Sequence, residues 1–315
     1  MHSRSLCGGT PFLMTINRNS RSFAHFLAAF IVCIWGVTFV NTKCLIRAGL
    51  GVNEIFLLRF SIAYVCITLW SVFKGKFRLW ADSLKDEIYF VLLGISGGSL
   101  YFSTENMAVG HTMVNNVSFI ICTAPVMTIF LARVFTRSVT ITKRLLCGTF
   151  IALLGVAIVI FNGHFVLQLN PLGDFLALTA AFCWAIYSLL IKKVSGRYSS
   201  LFLTRKVFIY GVLTILPVFI FQGWQFPLSG FSQPIVWANL LFLGFVASFL
   251  CFLLWSWVIS RIGALKTSNY IYLNPVTTVV ASAVVLDEPM TFLSVVGSLL
   301  ILIGVYLANS RRIES

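Results

Sequence analysis

The sequence predicts an all-α fold that crosses a membrane ten times, as two inverted five-helix repeats. Three observations carry this prediction. Apolar runs recur along the chain, basic residues collect at alternate ends of those runs, and the second half repeats the first at an offset of 149 to 150 residues.

The solvent follows from composition. Hydrophobic residues make up 59% of the 315 residues and charged residues 10%, with a mean hydropathy of +0.95, far above a soluble chain of this length. The runs are about 20 residues long, enough to cross roughly 30 Å of hydrocarbon at 1.5 Å per residue. Stretches such as GTFIALLGVAIVIF lack the alternating polarity of a transmembrane β-strand, which excludes a barrel.

The spans are expected at residues 23–42, 54–73, 88–108, 113–132, 145–162, 172–191, 204–222, 235–258, 267–286 and 292–309. The third carries the most glycine, in GISGGS, and an acidic residue, Glu105, towards its far end. Removing it from the set would spoil the charge pattern. With ten spans, 20 of the 23 Lys and Arg fall on one side, Lys43 and Arg47 on the other, and Arg59 lies inside the second span. Basic residues in short loops stay cytoplasmic. Both termini are therefore expected in the cytoplasm, with the chain in the cell (cytoplasmic) membrane.

The same pattern accounts for the net charge of +14. The cations sit at helix ends and not in one stripe, so no nucleic-acid partner is expected. The cysteines lie mainly within apolar spans (Cys33, Cys66, Cys122, Cys147, Cys183, Cys251) without CxxC spacing and read as small hydrophobes. The first 20 residues show no convincing cleavable signal.

The repeat sets the architecture. FLAAFIVCIWGVTFVNTK (26–43) aligns with FLALTAAFCWAIYSLLIK (175–192), placing Trp35 opposite Trp184. SFIICTAPVMT (118–128) aligns with SNYIYLNPVTT (268–278), placing Pro125 opposite Pro275, and Gly148 and Gly155 match Gly297 and Gly304. Five spans per half is an odd number, so the halves enter the membrane from opposite sides. The expected divisions are a cytoplasmic segment 1–22, repeats 23–162 and 172–309, and a cytoplasmic tail 310–315. Inverted repeats are characteristic of secondary transporters, whose pseudo-equivalent halves exchange conformations. Fold alone names no substrate.

In this order, IWGVTFV, ENMAVGHTMVNNVSFIICTAPV, GDFLALTAAFCWAIYSLLIKK, RIGALKTSNYIYLNPV and DEPMTFLSVVGSLLILIGVYL resemble the drug/metabolite transporter superfamily, in its EamA-type ten-helix branch. The resemblance covers about residues 23 to 309. It implies two EamA repeats, cytoplasmic termini, and movement of small metabolites such as amino acids through a central cavity, with export the expected direction. The partners expected are a small-molecule substrate, membrane lipid, a coupling proton and a second copy in a homodimer. No cofactor is expected.

Candidate site residues come from polar and aromatic groups within spans. Glu105 reads either as a cavity carboxylate that binds a cation or a coupling proton, or as a residue solvated near the outer face if the third span stops a turn earlier. Asn106, Asn115, Asn116 and Ser118 cluster at the third-to-fourth turn, and Asn269, Tyr270, Tyr272 and Asn274 at the matching ninth span. They bond substrate or serve as interhelical glue. Pro125 and Pro275 remove a backbone donor and free a carbonyl one turn earlier, either as gating elements beside the cavity or as static kinks. Trp35, Trp184, Tyr187, Trp255 and Trp257 lie mid-span, away from the interfacial belt. They stack on a solute or simply pack. Gly94 and Gly98 form GxxxG, which close helix packing explains, as it does the seven-residue glycine pairs. Arg59 is expected to snorkel to the outer interface or to pair with Glu54, and Asp174 to sit at a helix N-terminus. The four histidines lack ligand spacing, so no metal site is expected.

Two other classes compete with a carrier. An intramembrane enzyme should concentrate His, Asp, Glu or Cys near one interface, and a passive channel should show a ring of filter residues. The chain has neither, nor a GxxxxGK[ST] loop for nucleotide.

Overall fold

The computed structural model describes residues 21–112, 114–136, 142–161, 170–286 and 292–309, and among these the chain is helical in ten successive segments. Each half contributes five. The first half holds α1 (Arg21–Arg47), α2 (Val52–Phe73), α3 (Leu84–Gly94) with α4 (Leu100–His111), α5 (Val114–Ile121) with α6 (Ala124–Thr136), and α7 (Lys143–Phe161). The second holds α8 (Pro171–Val194), α9 (Ser200–Gln222), α10 (Pro234–Leu241) with α11 (Cys251–Ile262), α12 (Ala264–Ser268) with α13 (Asn274–Leu286), and α14 (Phe292–Asn309).

Among the described residues, five continuous helices are long and apolar enough to cross a membrane: α1, α2, α8, α9 and the run Pro234–Ile262. Their ends are set by local chemistry. Asn170 accepts from Gly173 N ahead of α8, and Ser199 accepts from Phe202 N ahead of α9. Each satisfies an orphan donor of a first helical turn. Asp174 sits in the first turn of α8, where a negative charge meets the positive end of the helix dipole. Gly223 and Gly263, with positive φ of 67° and 86°, end α9 and α11 in a conformation that side chains disfavour.

Three other segments are broken, each at a residue that explains the break. Gly98 (φ −128°, ψ −105°) leaves the helical region inside the π-helical turn Ile95–Ser99, between α3 and α4. Pro125 and Pro275 each lack the N–H that would bond the residue four earlier, and their rings crowd that carbonyl. Just before Pro125 the helix opens at residues 122–123; before Pro275 it tightens into the 3₁₀ segment Asn269–Leu273. A further departure, not foreseen from sequence, is the π-helical stretch Phe242–Leu250 between α10 and α11.

Glycine faces bring the two halves together. A Cβ on Gly148 would lie 2.5 Å from Ala308 N, one on Gly155 2.6 Å from the Gly297 carbonyl, and one on Gly304 2.4 Å from Ala152 N, so α7 and α14 pack backbone to backbone. Small residues of this kind let helices in lipid gain dispersion energy, since burial from lipid yields no hydrophobic gain. Gly94 and Gly98 do the same for α3 against Gly211 of α9.

At its start, α3 is also tied to the second half by charge. Arg197 donates to both Asp86 oxygens at 2.6 and 2.8 Å, with Tyr198 OH donating to Asp86 at 2.8 Å. Lys206 donates to Glu87 at 2.6 Å, joined by Tyr210 OH. Burial pushes the Asp86 carboxyl up, but hydrogen bonds from Tyr198, Arg197 and Ser83 outweigh it and hold the group below the usual carboxylate range. The Asp86 carboxyl therefore stays ionised at neutral pH.

Replacing Gly304 by Ala forces a methyl group against the α7 backbone. We expect it to lower stability by about 1 to 3 kcal/mol, read as a lower melting temperature of the detergent-solubilised chain. An unchanged melting temperature would show that α7 and α14 are not held by this contact.

Candidate functional site

A cavity lies where the two halves meet. It encloses about 410 Å³ of space between atoms, counting the part open to solvent, and is lined from α1, α2, α4, α5, α8, α11, the 3₁₀ segment and α13. Half of its lining residues are aromatic. Trp35 stands at 5.2 Å and 89° to Trp184, and at 4.8 Å from Trp255, while Tyr101 meets Trp184 at 5.1 Å. The tryptophans that align in the repeat are thus ring to ring across the half-to-half interface.

Two opposite charges share this aromatic cavity. Arg59 on α2 is 1% exposed; its Nε donates to Ser248 Oγ at 3.0 Å and its guanidinium lies 4.3 Å from the Phe102 ring centroid. Glu105 on α4 is 7% exposed and accepts from Tyr101 OH at 2.7 Å. Both line the cavity, yet among the described residues no carboxylate lies within 4 Å of Arg59. Isolated charges at membrane depth cost several kcal/mol, about 2.5 to 3.5 at a helix centre. The two groups lie near enough to interact through space but form no direct ion pair.

The reading of Arg59 as a snorkelling residue or a partner of Glu54 is corrected here. Glu54 is taken by backbone, accepting from Gly51 N, Gln225 N and Phe226 N at 2.6 to 2.9 Å. Arg59 instead points inward because the π-helical stretch opposite offers it Ser248. The same stretch offers the Ala247 carbonyl to Trp35 Nε1 at 2.9 Å. A π-turn shifts the bonding register by one residue, so its groups become available to side chains.

Proline-freed backbone also reaches the cavity. Pro125 cannot donate to Ile121, nor Pro275 to Ile271, and these two isoleucines, matched in the repeat, both line the cavity. The Ile271 carbonyl is met by the Cys122 thiol at 3.5 Å.

Of the residues singled out in the sequence, Trp35, Glu105, Trp184 and Asn274 line the cavity together. Tyr187 lies one layer behind, buried against Trp184 and Phe252 and against Gly97, where a Cβ would strike its ring. Asn106 donates to the Val52 carbonyl, tying α4 to the start of α2, and Asn269 donates to Asn309 Oδ1, tying the 3₁₀ segment to the end of α14. Tyr272 is fully buried outside the lining. Asn116 lies on α5, its side chain outside the described residues, as does that of Asn115. The lining residues not foreseen as such are Thr38, Phe39, Arg59, Tyr101, Phe102, Phe252 and the two isoleucines. Tyr101 was legible as the i−4 neighbour of Glu105, and the isoleucines as the i−4 neighbours of the prolines.

This architecture has counterparts among known proteins. A model of the EamA-like transporter family matches residues 22–161 and again residues 171–310. The chain belongs to the EamA-like transporter family. It is a membrane transporter, built from two EamA repeats. The transporter YyaM of Bacillus subtilis is 30% identical over 80% of this chain and 82% of its own. A protein of Streptantibioticus cattleyicolor named "Probable terminal-alkyne amino-acid exporter" is 26% identical over 88% of this chain and 91% of its own. A solved crystal structure, 15% identical, superposes with a TM-score of 0.71 over 95% of this chain and 100% of that one, which shows the shared fold.

If the proline breaks serve transport, Pro125→Ala and Pro275→Ala should each lower the transport rate severalfold while leaving the yield of folded protein near that of the wild type. Parallel loss of rate and yield would assign the prolines to folding alone.

Proposed function

We propose that this transporter is a secondary carrier that exports small amino-acid-like solutes by alternating access, with both termini in the cytoplasm. The observation that carries the reading is the pair of buried, mutually unbonded opposite charges in one aromatic cavity. A zwitterion supplies both missing partners: its carboxylate takes the free edge of the Arg59 guanidinium and its ammonium takes Glu105. Trp35, Trp184, Tyr101 and Phe102 then surround the remainder of the solute, and their faces also favour an ammonium group. The name of the Streptantibioticus cattleyicolor relative, "Probable terminal-alkyne amino-acid exporter", supports the same solute class.

Glu105 is also the group proposed to carry a coupling proton. In the outward-facing state a proton would neutralise it, releasing the ammonium; in the inward-facing state loss of that proton restores the binding charge. Alternating access requires only that the two states bind differently. Trp35, Glu105, Trp184 and Asn274 form the proposed solute site, Pro125 and Pro275 its gating breaks, with Asn106, Asn116, Tyr187, Asn269 and Tyr272 supporting it.

Two experiments test this. Reporter fusions after Arg78 and Lys193 should read cytoplasm and one after Gln225 the outside; reversal of either class removes the proposed orientation. In proteoliposomes loaded with amino acids, Glu105→Gln should abolish accumulation driven by a pH gradient and retain solute exchange only at raised solute concentration, because the ammonium has lost its charged partner. Arg59→Met should weaken uptake of the amino acid about tenfold or more, the loss of a charge-assisted hydrogen bond, and leave the matching decarboxylated amine little changed. Full pH-driven accumulation by Glu105→Gln, or equal loss for acid and amine in Arg59→Met, would refute the assignment.

A further inference from the structure

Away from the cavity, a second buried cation is left without a partner. The segment 74–82 folds over the start of α9 and brings four cations together with three carboxylates: Arg78 pairs with Asp82, Arg197 with Asp86, and Lys206 with Glu87. Arg205 is the fourth cation. It is 3% exposed, and among the described residues no carboxylate lies within 4 Å of it. Its Nη1 is buried with no hydrogen-bond partner. Its guanidinium lies 4.3 Å from the Phe77 ring centroid and 5.6 Å from that of Phe202. Aromatic faces attract the charge but accept none of its five N–H bonds through oxygen.

Nothing in the helix frame calls for a cation here. At the 149-residue offset, the position matching Arg205 is Phe56, which is fully buried and packed on Phe60 and Phe102. An anion would resolve this conflict. The surroundings indicate its source. Phe73, Leu79, Trp80 and Leu84 are strongly exposed around this segment, and Trp80 stands at 65% exposure, the placement of side chains anchored at the headgroup level of a bilayer. Lys76 is exposed on the rim.

We propose that the seam where residues 74–80 lie over the start of α9 binds the phosphate of an anionic phospholipid, with Arg205 as its buried anchor and Lys76 at its edge. The exposed apolar side chains beside it would lie along the acyl chains, which a free phosphate lacks. Basic pockets between helices on the face rich in Lys and Arg are suited to such headgroups. The site is independent of the solute cavity.

The test is lipid binding to the full-length chain in detergent, measured by native mass spectrometry with phosphatidylglycerol and phosphatidylcholine. The wild type should prefer phosphatidylglycerol at least about fivefold, Arg205→Gln should remove most of that preference, and Arg205→Lys should retain part of it. Lys76→Gln, on the exposed rim where folding is not at stake, should weaken it a few-fold at an unchanged melting temperature. Lys266→Gln, a remote basic residue, should leave it unchanged. Absence of a preference in the wild type overturns the proposal. So does an undiminished preference in Arg205→Gln, or in Lys76→Gln should Arg205→Gln fail to fold. Displacement of phosphatidylglycerol by millimolar inorganic phosphate would also overturn it, in favour of a site for free anions.

Discussion

Within a bilayer there is no water to bond a backbone amide or to solvate a charge, and every feature of this chain is arranged around that constraint. Where a helix faces lipid it must be unbroken, because a freed carbonyl there would cost several kcal/mol. The breaks therefore occur where protein or cavity can take up the loose groups. The opening before Pro125 and the 3₁₀ turn before Pro275 border the same cavity, through Ile121 and Ile271. The π-helical stretch Phe242–Leu250 gives its spare groups to Arg59 and Trp35. Irregular backbone and the polar side chains of the cavity are thus found in one place for one reason.

The same constraint governs the charges. Near the membrane surface, cations and carboxylates are paired in ordinary ion pairs, as at Asp86 and Glu87. Deeper in, Arg59 is steadied by Ser248 and the face of Phe102, and Glu105 by the Tyr101 hydroxyl, with no direct ion pair between them. Direct pairing would be the cheaper arrangement for a purely structural protein, since it would offset much of the desolvation cost. Keeping them apart leaves each with unused bonding capacity facing the cavity. Their separation is therefore the feature that most needs a functional explanation.

Much of this was legible in the sequence because lipid imposes a length and a polarity on anything that crosses it. The spans, the repeat, the glycine faces of α7 and α14 and the proline breaks each leave a one-dimensional mark. What left no mark was azimuth. An arginine inside an apolar run reads equally well as snorkelling outward or turning inward, and only the partner offered by Ser248, in a π-helical stretch with no sequence signature, decides for Arg59. The asparagines show the converse: the same residue type at matching turns serves as a tie between helices at Asn106 and Asn269 and borders the cavity at Asn274.

The repeats also show how symmetry and chemistry divide the work. Elements that shape the cavity come in matched pairs: Trp35 with Trp184, Ile121 with Ile271, Pro125 with Pro275. Elements that carry charge do not. At the 149-residue offset Arg59 faces Phe208 and Glu105 faces Leu254, so both cavity charges come from the first half. A frame of two equivalent halves can exchange shapes at little cost, because each shape of one half is available to the other. A solute with distinct ends needs an asymmetric site. Both charges lie on α2 and α4 of the first half, whereas the aromatic wall around them is drawn from both halves, so the polarity of the cavity is asymmetric within a pseudo-symmetric frame.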